Sequence, residues 1–223
     1  MEIRENRRTS QPFVAGLLCL AIALVLSSCE TSSFSGARLQ PAGFFDTVVI
    51  DAGHGGHDSG ARSVFGALEK QLTLDTARRT AALLRQAGLR VVETRTADYF
   101  VPLDTRIATA NRLSHVAFVS IHYNWARRAK AVGIETYYGG PRSSRLAANI
   151  QRETLRAYHT KNRGVKFNRY YVLRNSLRPA VLCELGFVSN AAENRTLQNA
   201  ATRQSLAEAI ARGILAEKAG RTP

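Results

Sequence analysis

The 223-residue chain is poor in cysteine, in acidic side chains and in apolar runs of membrane-spanning length, and each shortage removes a class of protein. Its cysteines are Cys19, Cys29 and Cys183, two of them within the first thirty residues, so the bulk of the chain cannot be a disulfide-stapled scaffold. Cys183 follows Ala180-Val181-Leu182, and a lone thiol in an apolar strand reads as packing rather than as a nucleophile. Only 17 Asp and Glu stand against 31 Lys and Arg, a formal charge of +14 that points to an anionic partner. No aromatic-rich basic motif of the nucleic-acid readers is present, and DNA or RNA is not expected as that partner. There is also no internal repeat and no low-complexity tract, which excludes a solenoid.

The longest apolar stretch, the uncharged Phe13 to Leu26, follows Arg4, Arg7 and Arg8 and is too short for a relaxed transmembrane helix. It reads as an export signal over residues 1–28. The following Leu26-Ser27-Ser28-Cys29 resembles the lipobox of bacterial lipoproteins, which makes Cys29 the expected lipidated residue and a membrane the expected partner through that lipid. Glu30 after the cysteine favours the outer membrane, facing the periplasm. Residues 29–43, rich in Ser, Gly and Ala, form a short tether. Loss of the signal removes three arginines and two glutamates, leaving 28 basic and 15 acidic side chains, so the charge excess survives processing. Anionic envelope polymers or lipid headgroups fit that excess.

From residue 44 to 219 strands and helices alternate, the pattern of a single α/β domain with a largely parallel sheet. Strands are expected at Val48–Ile50, Leu89–Thr94, Ala117–His122, Gly133–Tyr138, Tyr170–Leu173 and Ala180–Glu184. Leu72, Thr76, Thr80, Leu83 and Ala87 share one face of a helix from about Glu69. Leu103, Ile107 and Ala110 mark a second helix opened by Pro102, and Leu146 and Ile150 a third capped by Ser143 or Ser144. Leu206, Ile210 and Ile214 mark the last, in which Gly213 is expected to allow close packing on the sheet.

Three strands end in polar groups, and in an open parallel sheet such ends converge. Val48-Val49-Ile50 runs into Asp51-Ala52-Gly53-His54-Gly55-Gly56. Ala117 to Ile121 runs into His122-Tyr123-Asn124, and Ala180 to Cys183 into Glu184-Leu185-Gly186. Two neutral imidazoles and one carboxylate make a ligand set for catalytic zinc, with a position left open. His54 and His122 supply the imidazoles. Glu69 qualifies as the acid because it starts the helix leaving the His54 loop, where a helix N-terminus favours negative charge. Glu184, not needed as a ligand, is the candidate proton carrier between water and a leaving amine.

Four blocks in order then carry a resemblance: Ile50-Asp51-Ala52-Gly53-His54-Gly55-Gly56 with Asp58 and Gly60-Ala61; Glu69-Lys70; Ser120-Ile121-His122 with Asn124; and Glu184-Leu185-Gly186-Phe187-Val188-Ser189-Asn190. The chain resembles the zinc-dependent N-acetylmuramoyl-L-alanine amidases of bacterial cell walls. That resemblance implies one zinc ion held by His54, Glu69 and His122, a catalytic acid/base role for Glu184, peptidoglycan as substrate, and a mixed, mostly parallel sheet flanked by helices on both faces. Tyr123 and the pair His115-Val116 depart from the family's usual residues, which puts the shape of the site rim in question. Some relatives carry an inserted helix that plugs the zinc site. The compact stretch between His122 and Glu184 leaves little room for one, and the sequence names no activator protein. Two other functions compete: a peptidoglycan-binding lipoprotein without turnover, and a zinc peptidase acting on the stem peptide.

Duller readings remain for the other polar residues. His57 is expected to be solvated or to support the ligands, and His115 and His159 to be structural or exposed. Asp51 and Asp58 either orient His54 or stabilise its turn. Glu135 is a possible second acid, and Tyr123, Asn124 and Asn190 either bind substrate or hold turns.

Overall fold

The computed structural model describes residues 45–63, 65–66 and 68–221. The export signal, Cys29 and the tether lie outside the described residues. Among those described, no helix is long and apolar enough to cross a membrane.

Six strands form one sheet: β1 (Thr47–Ala52), β2 (Arg90–Glu93), β3 (Val116–Asn124), β4 (Ile134–Tyr138), β5 (Asn162–Phe167) and β6 (Ala180–Phe187), in the order β2-β1-β3-β6-β4-β5. The first four in that order are mutually parallel, while β4 pairs antiparallel with β6 and parallel with β5. The sheet is therefore mixed and mostly parallel, as expected. Its helices are α1 (Glu69–Gln86), α2 (Leu103–Asn111), α3 (Ser144–Ala157), α4 (Tyr171–Arg174), α5 (Ala191–Gln198) and α6 (Ala200–Lys218), with a 3-10 turn at Pro141–Ser143.

Alternation along the strands sorts side chains to two cores. Val48, Ile50, Val119, Ile121, Val181 and Cys183 face one side, where they meet Leu72 and Leu84 of α1, Leu146 and Ile150 of α3, and Leu206, Ile210 and Ile214 of α6. Val49, Phe118, Ala180 and Leu182 face the other side and meet Ile107 and Ala110 of α2 and Val172 and Leu173 of α4. Burying a large aliphatic or aromatic side chain in this way contributes about 1.5–3 kcal/mol before entropy is charged against it. Helices thus cover both faces, but the second face only with short ones. That thin cover leaves room for a cleft at the carboxyl ends of the parallel strands.

Two local expectations are corrected, and one strand is added. Tyr170–Leu173 is not a strand, since residues 171–174 make the single turn α4. The strand in that region is β5, whose Gly, Asn and charged residues give no apolar alternation and which is held as an edge by pairing with β4. Gly213 packs on α3 rather than on the sheet: a Cβ there would lie 2.6 Å from the Ile150 Cα.

Candidate active site

The three strand ends do meet. His54 lies two residues beyond β1, His122 inside β3 and Glu184 inside β6, where it is the register partner of His122. A register shift between His122 and Asn124 breaks the β3–β6 ladder at this point, a device that re-aims side chains beside functional sites. Glu69 comes from the first turn of α1, whose N-terminus has no side-chain cap. The backbone N–H groups of Glu69 and Lys70 donate instead to the carbonyls of Ala61 and Ser59, at 3.1 and 3.3 Å. The Glu69 carboxylate is thereby free to enter the cleft, with the positive end of α1 behind it.

The Glu69 Oε1 atom lies 3.1 Å from His54 Nε2 and 3.0 Å from His122 Nδ1. Ligand atoms from the three residues fall within 4.8 Å of one another, the only such group of three or more among the described residues. The rings of His54 and His122 stand edge to face, 4.9 Å between centroids and 81° between planes. The other ring nitrogen of His54, Nδ1, sits 2.8 Å from Asp58 Oδ2, a carboxylate that fixes the tautomer so that Nε2 presents its lone pair. Glu69 accepts two backbone N–H bonds besides, from Ala61 at 2.8 Å and Tyr123 at 3.0 Å. Burial raises its pKa, but the hydrogen bonds and charge of His122 and His54 outweigh that, and the carboxyl ends far below the usual range. Two imidazoles and an ionised carboxylate so disposed fit a zinc ion.

Room for His122 depends on Gly53. A Cβ at that position would lie 2.3 Å from the His122 Cε1. The imidazole therefore rests directly on the backbone of the neighbouring strand end.

Sequence reasoning missed what holds the His54 loop. Arg95 and Arg106 are 1% and 2% exposed, and between them they bind the carbonyls of three successive residues. Arg95 donates to Ala52 and Gly53, each at 2.9 Å, and Arg106 to Ala52 at 2.6 Å and His54 at 2.7 Å. His54 has φ +63°, a left-handed conformation that costs a non-glycine residue about 1–2 kcal/mol. The two guanidinium groups offset that strain. Asp51 is the anion beneath them, bonded to Arg106 at 2.8 Å and to the hydroxyls of Thr94 and Ser120 at 2.6 Å each. Burial alone would raise the Asp51 pKa, and Arg106 with the two hydroxyls brings it below its ordinary value. Asp58, not Asp51, is the residue that orients His54.

Glu184 differs from all of these. Its Oε2 is buried with no hydrogen-bond partner, and burial, followed by the charges of Glu69 and Glu135, holds its pKa well above the ordinary carboxylate range. The side chain lines a cleft of about 670 Å³ together with His54, Glu69 and His122.

The remaining candidates fall outside this constellation. His57 is exposed and stacks on Phe100, 4.2 Å between ring centroids, apart from the metal-ligand group. Glu135 is neutralised by Arg163 at 3.1 Å and by Lys166, and accepts from Asn124 at 2.7 Å, so it is a paired anion and not a second acid. Tyr123 is 1% exposed and its hydroxyl meets Thr76 at 2.7 Å on the α1 side, which makes it core. Asn190 caps α5, accepting from the N–H groups of Ala192 and Glu193. Burial, then the neighbouring Glu184 charge, drives the Cys183 thiol pKa upward, in keeping with inert packing.

Residues 48–216 match the family model of the N-acetylmuramoyl-L-alanine amidases. The chain belongs to that family. It is 38% identical over 157 residues to the N-acetylmuramoyl-L-alanine amidase LytC of Bacillus subtilis, a match covering 69% of this chain and 32% of LytC. It thus spans about a third of that longer relative. YqiI of the same organism is 42% identical over 151 residues, 66% of this chain and 72% of that protein. Among solved structures, the N-acetylmuramoyl-L-alanine amidase AmiC2 of Nostoc punctiforme superposes with a TM-score of 0.73 at 44% identity, over 76% of this chain and 94% of that one.

Proposed function

We propose that the protein cleaves the amide between N-acetylmuramic acid and the first L-alanine of the peptidoglycan stem peptide. The observation that carries this reading is the grouping of His54, Glu69 and His122 around one point, with Glu184 in the same cleft and no partner of its own. Membership of the amidase family supports peptidoglycan as the substrate.

Zinc held by His54, Glu69 and His122 would supply Lewis acidity to the amide carbonyl and make water a stronger acid. Glu184, as carboxylate, takes the proton of the attacking water and delivers it to the departing alanine nitrogen. A carboxyl group whose charge is disfavoured by burial accepts a proton readily, and its lack of a competing hydrogen bond leaves its oxygen available. Asp58 holds the His54 imidazole, and Arg95 and Arg106 hold the loop beneath it, so the ligands need little reorganisation. The basic surface draws the anionic polymer to the cleft. An export signal with a lipid on Cys29 would place this activity in the envelope, facing the wall.

The test is digestion of purified peptidoglycan by the protein, with product analysis by mass spectrometry. Release of whole stem peptides from uncut glycan, abolished by chelator and restored by zinc, is the expected result. Fragments cut within the stem peptide would point to a peptidase, and binding without release to a non-catalytic wall protein.

A further inference from the structure

The cleft walls differ in what they expose and in the charge of the segments beside them. In the order of the sheet, the wall on the β2 and β1 side carries Phe100 and Leu103, 41% and 52% exposed, with the acids Asp98 and Asp104 close in sequence. The wall on the β3 and β6 side carries Trp125, 53% exposed and three residues past His122. Arg127, Arg128 and Lys130 follow it in sequence, beyond the residues that line the cleft itself; all are exposed, and none has an ion-pair partner among the described residues.

This basic segment is held in place. The Asn124 side chain accepts from Trp125 N at 2.8 Å, Ser189 Oγ accepts from Ala126 N at 3.0 Å, and the Asn190 side chain donates to the Ala129 carbonyl at 2.7 Å. Three tethers thus fix the backbone of a loop that presents an indole and three cations to water. An ordered loop displaying a large aromatic beside a cleft, without burying it, is poised for a ligand. Lys70, by contrast, ties up Asp98 at 2.6 Å on the opposite wall.

We infer that the Trp125–Lys130 segment is the peptide side of the cleft: Trp125 packs against the acidic stem peptide and Arg127, Arg128 and Lys130 pair with its carboxylates, while the neutral glycan lies along the Phe100 and Leu103 wall. This rests on the amidase reading and adds the direction in which the substrate crosses the site. The opposite direction would leave three unpaired cations facing uncharged sugar. Charge complementarity of this kind selects orientation and register.

Trp125 is the only tryptophan of the chain, so its emission reports on this wall alone. The experiment titrates the full chain, supplied with zinc, with three probes. They are the free tripeptide L-alanyl-γ-D-glutamyl-diaminopimelate, the same tripeptide with its carboxylates amidated, and tetra-N-acetylchitotetraose. The acidic tripeptide is expected to shift the emission saturably to shorter wavelength, the amidated form to bind at least tenfold more weakly, and the glycan to leave the emission unchanged. The Arg127→Glu, Arg128→Glu, Lys130→Glu variant, altered only at exposed positions, is expected to lose tenfold or more in tripeptide affinity. A shift produced by the glycan and not by the tripeptide would overturn the assignment, as would equal affinity for the acidic and amidated peptides. Peptidoglycan digestion by the parent protein separates the two ideas. Stem-peptide release without any tripeptide response rejects the orientation alone, and no release rejects the amidase reading itself.

Discussion

The two sides of the metal-ligand group are built on opposite plans. On the β1 side the buried polar groups are satisfied: Asp51 pairs with Arg106, and the buried Arg95 and Arg106 donate to the carbonyls of Ala52, Gly53 and His54. On the β6 side Glu184 sits at the same sheet level with an oxygen that bonds nothing. In the proposed reaction a ligand must stay where it is, and a proton carrier must be free to change its bonding. The fold serves the first need with a saturated network and the second with a vacancy in hydrogen bonding.

The contrast breaks most visibly at Glu184. Glu184→Gln should cut hydrolysis of peptidoglycan by about 10²–10⁴-fold, the usual loss when a general acid or base is removed. Zinc content by atomic absorption should be unchanged. On the other side, Asp51→Ala leaves the Arg106 guanidinium buried beside no anion, and breaking such a pair costs about 3–5 kcal/mol. Urea unfolding should show that loss. Gly53→Ala drives a methyl group into the His122 ring, so zinc affinity, measured by competition with a chromophoric chelator, should fall by roughly 10–100-fold, the scale seen when support for a metal ligand is lost.

The smallest effect concerns pH. The folded Glu184 pKa is raised, so the unfolded chain releases this proton near the ordinary value of 4.5 while the folded chain still holds it. Stability of the zinc-free protein therefore declines as pH rises from that value toward the higher folded pKa. Glu184→Gln removes the decline. At neutral pH the zinc-free variant should melt above the parent, with no gain below pH 4. A variant melting at or below its parent throughout would mean that the carboxyl finds a partner in solution.

The strands whose carboxyl ends carry chemistry were legible in the sequence because burial on both faces leaves uninterrupted apolar runs, as in Val48-Val49-Ile50 and Ala180-Val181-Leu182. Their polar ends were legible for the same reason, as the first groups that break the run. What escaped depends on distant partners. Arg95 and Arg106 look like surface residues until the chain brings carbonyls 42 to 54 positions away to within 3 Å of them. The strand β5 has no pattern of its own and exists through β4. The helix α4 reads as β-forming, with Tyr, Val and Leu in a row, yet Val172 and Leu173 tuck beneath β6 and β3 as one helical turn.

The central claim is that His54, Glu69 and His122 grip a metal while Glu184 is left free to move a proton. The most direct measurement is the zinc content, after exhaustive dialysis against zinc-free buffer, of Glu69→Ala and Glu184→Gln beside the parent. The account predicts that Glu184→Gln keeps the parent's zinc and Glu69→Ala loses it. Equal zinc in Glu69→Ala and the parent, or loss of zinc from Glu184→Gln, would contradict the assignment of roles.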